Sequence, residues 1–210
     1  VYVLYYSPGA ASLAVHWLLI ELGVPFEARR LDVDAKEHKR PEYLKLNPNG
    51  RVPTLLIDGK PVYESGALVA LLAERHPEAK FSPAAGSPER ASYLQWMFHL
   101  SNTVQAAFRL WFYPDEAAGA AHADAAKESV RPQIEAAWDR VEAHLSASGP
   151  WMCGQAISAL DFSATMLMRW SRNMPRPATS RPAIAAYVQR MKGRPSFREL
   201  YAREGLTEWS

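Results

Sequence analysis

A single cysteine in 210 residues, Cys153, leaves no intramolecular disulfide and no multi-cysteine metal site, a usage that fits a reducing compartment such as the cytoplasm. Apolar runs are short, none approaching the ~20 residues of a membrane-spanning helix. The opening Val1–Tyr6 lacks the basic flank and small-residue cleavage site of a secretory signal and reads as a first strand. Excess charge is also missing. The net charge is +2, and basic residues alternate with acidic ones, as in Glu27-Ala28-Arg29-Arg30-Leu31-Asp32, so no basic stripe offers itself to nucleic acid. The six histidines show no pair at metal-ligand spacing; His76, His99, His122 and His144 fall at helix or linker positions, and no metal is expected. Internal repeats, low-complexity blocks and coiled-coil heptads are absent. With 48% hydrophobic and 22% charged residues, the chain can bury a core without disulfides or metals, and its length suits two modest domains.

The first part alternates strand and helix patterns. After the opening strand, Ser7-Pro8-Gly9 turns the chain into a helix from about Ala11, ended by Gly23. Phe26 to Asp32 reads as a second strand, joined to the first by a right-handed parallel crossover. Pro41 to Leu46 is a short helix with proline at its first position. Thr54–Ile57 and Val62-Tyr63 flank Asp58-Gly59, a strong hairpin signal, and Ser65–Arg75 closes the domain as a helix, for an order of βαβαββα. The predicted boundaries are residues 1–76 for this domain, 77–88 for a Pro-rich linker and 89–210 for an all-helical domain. Helices are expected at about Glu89 to Phe112, Asp124 to Leu145, Ala159 to Arg172, Pro182 to Met191 and Pro195 to Arg203.

Two positions carry chemical potential on local grounds. Val52-Pro53 stands before the third strand, where proline removes a donor and can hold a cis amide, leaving the Val52 backbone to pair with an extended peptide-like ligand. Glu64-Ser65 opens a helix whose first amides and dipole favour an anion. Ser158 and Asp161 instead make a capping box, which assigns them to stability and not to a Ser–Asp catalytic pair.

Tyr5-Tyr6-Ser7-Pro8-Gly9-Ala10-Ala11-Ser12-Leu13-Ala14, Asn47-Pro48-Asn49-Gly50-Arg51-Val52-Pro53 and Glu64-Ser65 resemble, in order and spacing, the three glutathione-contacting segments of the cytosolic glutathione transferases. Trp151–Gln155 with Ser158–Asp161 resembles that family's hydrophobic-staple and capping-box segment, and Tyr187–Met191 with Arg194-Pro195 resembles its late helices, so the likeness spans essentially the whole chain. It is strongest with the bacterial beta class, which carries a cysteine where this sequence has Ala11. Gln105 stands where that class often has a histidine, and Phe98 replaces an expected asparagine. The resemblance implies an α/β thioredoxin-like N-terminal domain, an all-α C-terminal domain and a homodimer. Glutathione is implied as co-substrate, with a role in detoxification. Lys36, Arg51, Val52, Pro53, Glu64 and Ser65 are implied to bind it. Ser65 would hold the γ-glutamyl carboxylate and Glu64 the amine; Lys36 and Arg51 would serve the glycyl carboxylate or the peptide backbone.

The implied reaction is attack by the glutathione thiolate on an apolar electrophile. Lowering a thiol from a pKa of about 8.5 by two units needs roughly 2.7 kcal/mol of preferential anion stabilisation. A hydrogen bond to a charged group supplies about 1.5 to 3 kcal/mol and a helix N-terminus about 0.3 to 1. Ser12 is the first-choice catalytic hydroxyl, with Ser7, Tyr5 and the amides of Ala10 to Ser12 as alternatives. Tyr6, Phe108, Trp111, Phe112 and Trp170 are the candidates for the electrophile pocket, and Cys153 is expected to be a structural thiol. A non-catalytic glutathione or apolar-ligand binder, a glutathione-dependent disulfide reductase and an isomerase are the competing functions.

Overall fold

The computed structural model describes residues 1–209. Four strands and ten helices follow one another among them: β1 (Tyr2–Tyr6), α1 (Leu13–Glu21), β2 (Phe26–Arg30), α2 (Pro41–Leu44), β3 (Thr54–Ile57), β4 (Lys60–Tyr63), α3 (Ser65–Arg75), α4 (Pro88–His99), α5 (Ala106–Phe112), α6 (Pro114–Ala118), α7 (Ala123–Ser148), α8 (Ala159–Trp170), α9 (Pro182–Lys192) and α10 (Pro195–Glu204). By contact the chain divides into Val1–Ser82 with Lys192–Ser210, and Pro83–Met191. The first unit is the thioredoxin-like α/β domain and the second is all helical, as the sequence implied for the fold class. The division differs from the sequence-based boundaries in that α10 belongs to the α/β unit.

In the α/β unit the sheet order is β2-β1-β3-β4, with β1 and β2 parallel and the other pairs antiparallel. Tyr2, Leu4 and Tyr6 alternate onto the buried face of β1, the period-two pattern of a strand covered on one side. Helix α1 is apolar over Leu13–Leu19 except for His16, and every residue of that stretch is buried. Gly23 follows it at φ 65°, where its N–H reaches the Ile20 carbonyl at 3.0 Å. Asp58 and Gly59 both take positive φ, as a tight two-residue hairpin requires.

Helix α10 is tied to α1 through a relay of polar groups. The Trp17 indole donates to Ser196 Oγ at 2.8 Å, Ser196 Oγ donates to the Glu21 carboxylate, and Arg194 Nε donates to the same carboxylate at 3.2 Å. These contacts span more than 170 residues, and no local periodicity announces them.

In the helical unit the expected single helix over Glu89–Phe112 is interrupted by a π-helical segment, Leu100–Gln105, between α4 and α5. Leu100, Val104 and Phe108 are buried four residues apart, a row that drifts by about 40° per turn around an ideal α-helix. The wider π turn takes up that drift. The α8 terminus carries the capping box read from sequence. Asp161 is fully buried and accepts from the Ser158 N–H (2.7 Å), Ser158 Oγ (3.1 Å), the Met152 N–H (2.9 Å) and the Tyr187 hydroxyl (2.9 Å).

Ser158→Ala is expected to lower unfolding free energy by about 0.5–2 kcal/mol in urea titration, with no change in any ligand affinity. Burial pushes the Glu21 carboxyl up, but the hydrogen bonds from Arg194 and Ser196 and the Arg194 charge outweigh it, leaving it below the usual carboxylate range. A folded value below the unfolded one gives stability that is present above the unfolded pKa and lost as pH falls through the folded one. The urea midpoint of the wild type should therefore exceed that of Glu21→Gln at neutral pH, and the gap should close as pH falls below the ordinary glutamate range. A gap independent of pH would contradict this assignment.

Candidate active site

The strand registers gather the sequence-predicted segments at one end of the sheet. Tyr6 pairs with Arg30 in parallel, Tyr5 with Thr54 in antiparallel, and Thr54 with Tyr63. The exit of β1 (Ser7–Ser12), the approach to β3 (Arg51–Pro53), the exit of β4 (Glu64-Ser65) and the loop leaving β2, with Lys36, therefore share that end. Helices α1 and α3 both begin there.

The Val52–Pro53 peptide is cis, as is Gly149–Pro150. Val52 is half-buried, and its backbone N–H and C=O meet no partner among the described residues. Ser65 is buried as the first residue of α3, and the Leu68 N–H returns to the Glu64 carbonyl at 2.9 Å, so the amides of Gly66 and Ala67 are the open first-turn donors. Glu64 is exposed and takes φ 78°, a region uncommon for a side chain of its type. Its carboxylate has no partner among the described residues. Lys36, at φ 56°, and Arg51 are exposed on their loops.

Ser12 is fully buried and its bonding is closed. Its Oγ accepts the Ser7 N–H at 3.2 Å and donates to the Ser7 carbonyl at 3.1 Å. A serine hydroxyl has one proton, so donation to a thiolate would require Ser12 to release Ser7. The backbone N–H groups of Ala11 and Ser12, by contrast, have no acceptor among the described residues. Tyr5 lies on the opposite face of the strand from Tyr6, where its hydroxyl accepts from Arg29 at 2.9 Å and its ring lies 5.6 Å from that of Tyr43.

Beneath this turn lies a pair that the motif reading missed. Glu204 of α10 accepts the Gly9 N–H at 2.8 Å, and its other oxygen lies 2.8 Å from His16 Nδ1; both side chains are fully buried. The His16 ring packs 4.9 Å from Tyr6 and 5.5 Å from Phe26. Burial, reinforced by the Glu204 charge and opposed by Arg30, pushes the Tyr6 phenol up. A lone histidine in an otherwise apolar, buried helix was the available signal, since such a group needs a partner.

In the helical unit, three of the four predicted aromatics meet. Phe108 stacks on Phe112 at 5.8 Å, and Trp170 stands edge-on to both at 5.7 and 5.8 Å. Trp111 turns to α7 instead, with Lys127 Nζ 4.7 Å from its ring centroid. Phe108 is buried and Phe112 is 45% exposed, so the cluster presents an aromatic surface. Cys153 lies in this unit, and burial pushes its thiol up. Among the described residues no group of three or more His, Cys, Asp or Glu is arranged to hold a metal, and no helix is long and apolar enough to cross a membrane.

Residues 1–74 match the family model for the glutathione S-transferase N-terminal domain and residues 123–190 that for the C-terminal domain. The chain is 30% identical to the glutathione S-transferase GstA of Escherichia coli O157:H7, over 97% of this chain and 98% of the relative. Its fold is similar to the crystal structure of a glutathione transferase from Methylococcus capsulatus, with TM-score 0.88, 32% identity, and 99% of this chain and 100% of that one covered. A glutathione transferase homologue from Sulfitobacter with bound glutathione gives TM-score 0.89 at 27% identity, over 98% of this chain and 99% of that one. With both of its halves matched and a relative at this identity over nearly its whole length, the chain belongs to the glutathione S-transferase family.

Proposed function

We propose that the protein is a glutathione transferase that binds the tripeptide along the shared end of its sheet and activates the thiol through backbone amides. The observation that carries this reading is the convergence there of two helix N-termini and the Val52 backbone, whose N–H and C=O have no partner among the described residues, an arrangement suited to one extended ligand. Ser65 with the amides of Gly66 and Ala67 takes the γ-glutamyl carboxylate, where donors and helix dipole act together. The Glu64 carboxylate takes the neighbouring ammonium. Val52 pairs with the cysteinyl backbone, and Lys36 and Arg51 serve the glycyl carboxylate.

The sulfur then lies at the start of α1. Two amide hydrogen bonds to a charged sulfur, at about 1.5–3 kcal/mol each, supply the roughly 2.7 kcal/mol that a two-unit drop in thiol pKa requires. The thiol proton passes to solvent. The thiolate attacks the electrophilic carbon, forming the C–S bond as the leaving group departs with the bonding pair, or as a proton completes an addition. Ser12 acts as a brace that holds the turn. Ala11 occupies the place of the beta-class cysteine, so the reacting thiol is that of glutathione. The Phe108–Phe112–Trp170 cluster has the chemistry to take an apolar electrophile, and the working protein is a homodimer.

Calorimetry with reduced glutathione is expected to show one site per chain, and Ser65→Ala is expected to weaken it about tenfold or more through loss of a charge-assisted hydrogen bond. Turnover of aryl halides or activated alkenes should accompany binding. No heat at millimolar glutathione would overturn the proposal, whereas binding without turnover of any electrophile would reduce it to a carrier.

A further inference from the structure

The loop before β3 is held by a buried polar network with no role in the reaction as proposed above. Tyr43, in α2, is buried; its hydroxyl donates to the Arg51 carbonyl at 2.7 Å and lies 2.7 Å from Thr54 Oγ1. Asn47 Nδ2 donates to the same carbonyl at 2.8 Å and to Thr54 Oγ1 at 3.1 Å. The protons can be assigned completely. Tyr43 has one, which goes to Arg51; Asn47 Nδ2 has two, one for Arg51 and one for Thr54; Thr54 gives its own to Tyr43 Oη. Asn47 also accepts the Asn49 N–H on Oδ1 at 3.1 Å and the Gly50 N–H on its carbonyl at 2.8 Å. Gly50, at φ 54°, passes so close to the preceding segment that a Cβ would sit 3.0 Å from the His38 carbonyl oxygen.

The Arg51 carbonyl thus receives two donors, one for each lone pair. A peptide unit is planar, and in its trans form the carbonyl and the following N–H point in opposite directions. Saturating the Arg51 carbonyl from the buried side therefore turns the Val52 N–H to the other side, where it has no partner among the described residues. The Arg51 side chain is exposed and takes no part in this. The ring of Tyr43 packs separately, 5.6 Å from that of Tyr5, so the hydroxyl can be removed without removing the packing.

We infer that Tyr43 and Asn47 are positioning residues for glutathione: by anchoring the Arg51–Val52 peptide they aim the Val52 N–H at the tripeptide before it arrives. The inference rests on the glutathione reading above. Because Val52 contacts the backbone of the substrate and not the reacting sulfur, its alignment contributes equally to the ground state and the transition state, and its loss appears in KM and not in kcat.

The test uses the intact protein with Tyr43→Phe, which keeps the ring, and Asn47→Asp, which keeps the acceptor for Asn49 but sets a carboxylate oxygen against the Arg51 carbonyl. Tyr43→Phe should raise Kd and KM for glutathione by about two- to tenfold, the range of one net hydrogen bond, with kcat at saturating glutathione unchanged. In ¹⁵N-resolved spectra of the ligand-free variant, the Val52 amide should shift and lose order while the amides of Gly66 and Ala67 stay in place. Asn47→Asp should show a larger loss; if it fails to fold, Tyr43→Phe alone decides. Unchanged affinity and an unmoved Val52 amide in Tyr43→Phe, or a fall in kcat at constant KM, would overturn the inference while leaving the functional reading standing. A wild type that takes up no glutathione would overturn that reading, and this inference with it.

Discussion

A carboxylate sealed from water must be satisfied by the protein, and Glu204 is satisfied from two directions, by the Gly9 N–H and by His16. That requirement fixes several features together. It brings α10 back to the α/β unit across most of the chain's length, it orients His16 under Tyr6, and it pins the glycine in the turn between β1 and α1. With Gly9 held from below and the Ser7–Ser12 pair closing the turn from within, the amides of Ala11 and Ser12 are left as donors without acceptors among the described residues. Removing one partner of such a buried hydrogen bond costs about 1–3 kcal/mol or more, because the other is left buried and unsatisfied.

The same arrangement recurs at β3. Buried side chains there are spent on carbonyls: Tyr43 and Asn47 on Arg51, as Ser12 is on Ser7. At Arg51 these donors hold the carbonyl on one side of the peptide and the Val52 N–H faces the other, whereas the Ser7 carbonyl is followed by Pro8, which has no N–H, so the Ser12 hydroxyl closes the turn. Backbone groups held this way need no reorganisation when charge appears, which is where preorganised donors gain over water. A site made chiefly of main-chain groups also accommodates alanine at position 11, since the amide of that residue is indifferent to its side chain.

Features set by neighbouring residues are legible in the sequence. Asp58-Gly59, Pro41, Gly23 and the Ser158–Asp161 box act through their nearest neighbours, and local chemistry determines what they do. The three segments that resemble the family's glutathione-contacting ones were visible as motifs because each is contiguous, and the strand registers bring them to one end of the sheet. Other features depend on partners far away in sequence. His16 and Glu204 are 188 residues apart, and Trp17 and Ser196 are 179 apart. The π segment was hidden because its buried residues, four apart, read equally well as one continuous α-helix. Ser12 is a hydroxyl next to Ala11 just before α1, yet a residue type does not reveal where its proton goes. The two hydrogen bonds to Ser7 do.

The central claim is that main-chain donors at the start of α1, and not a side-chain hydroxyl, lower the pKa of bound glutathione. Titrating the thiolate absorbance of glutathione bound to the wild type and to Ser12→Ala tests it most directly. The amide account predicts a bound-thiol pKa that stays within about half a unit in the variant, because Glu204 still holds Gly9 and the Ala11 and Ser12 amides remain. A rise of about one to two units, the loss of one charge-assisted hydrogen bond, would contradict it and return the role to the Ser12 hydroxyl.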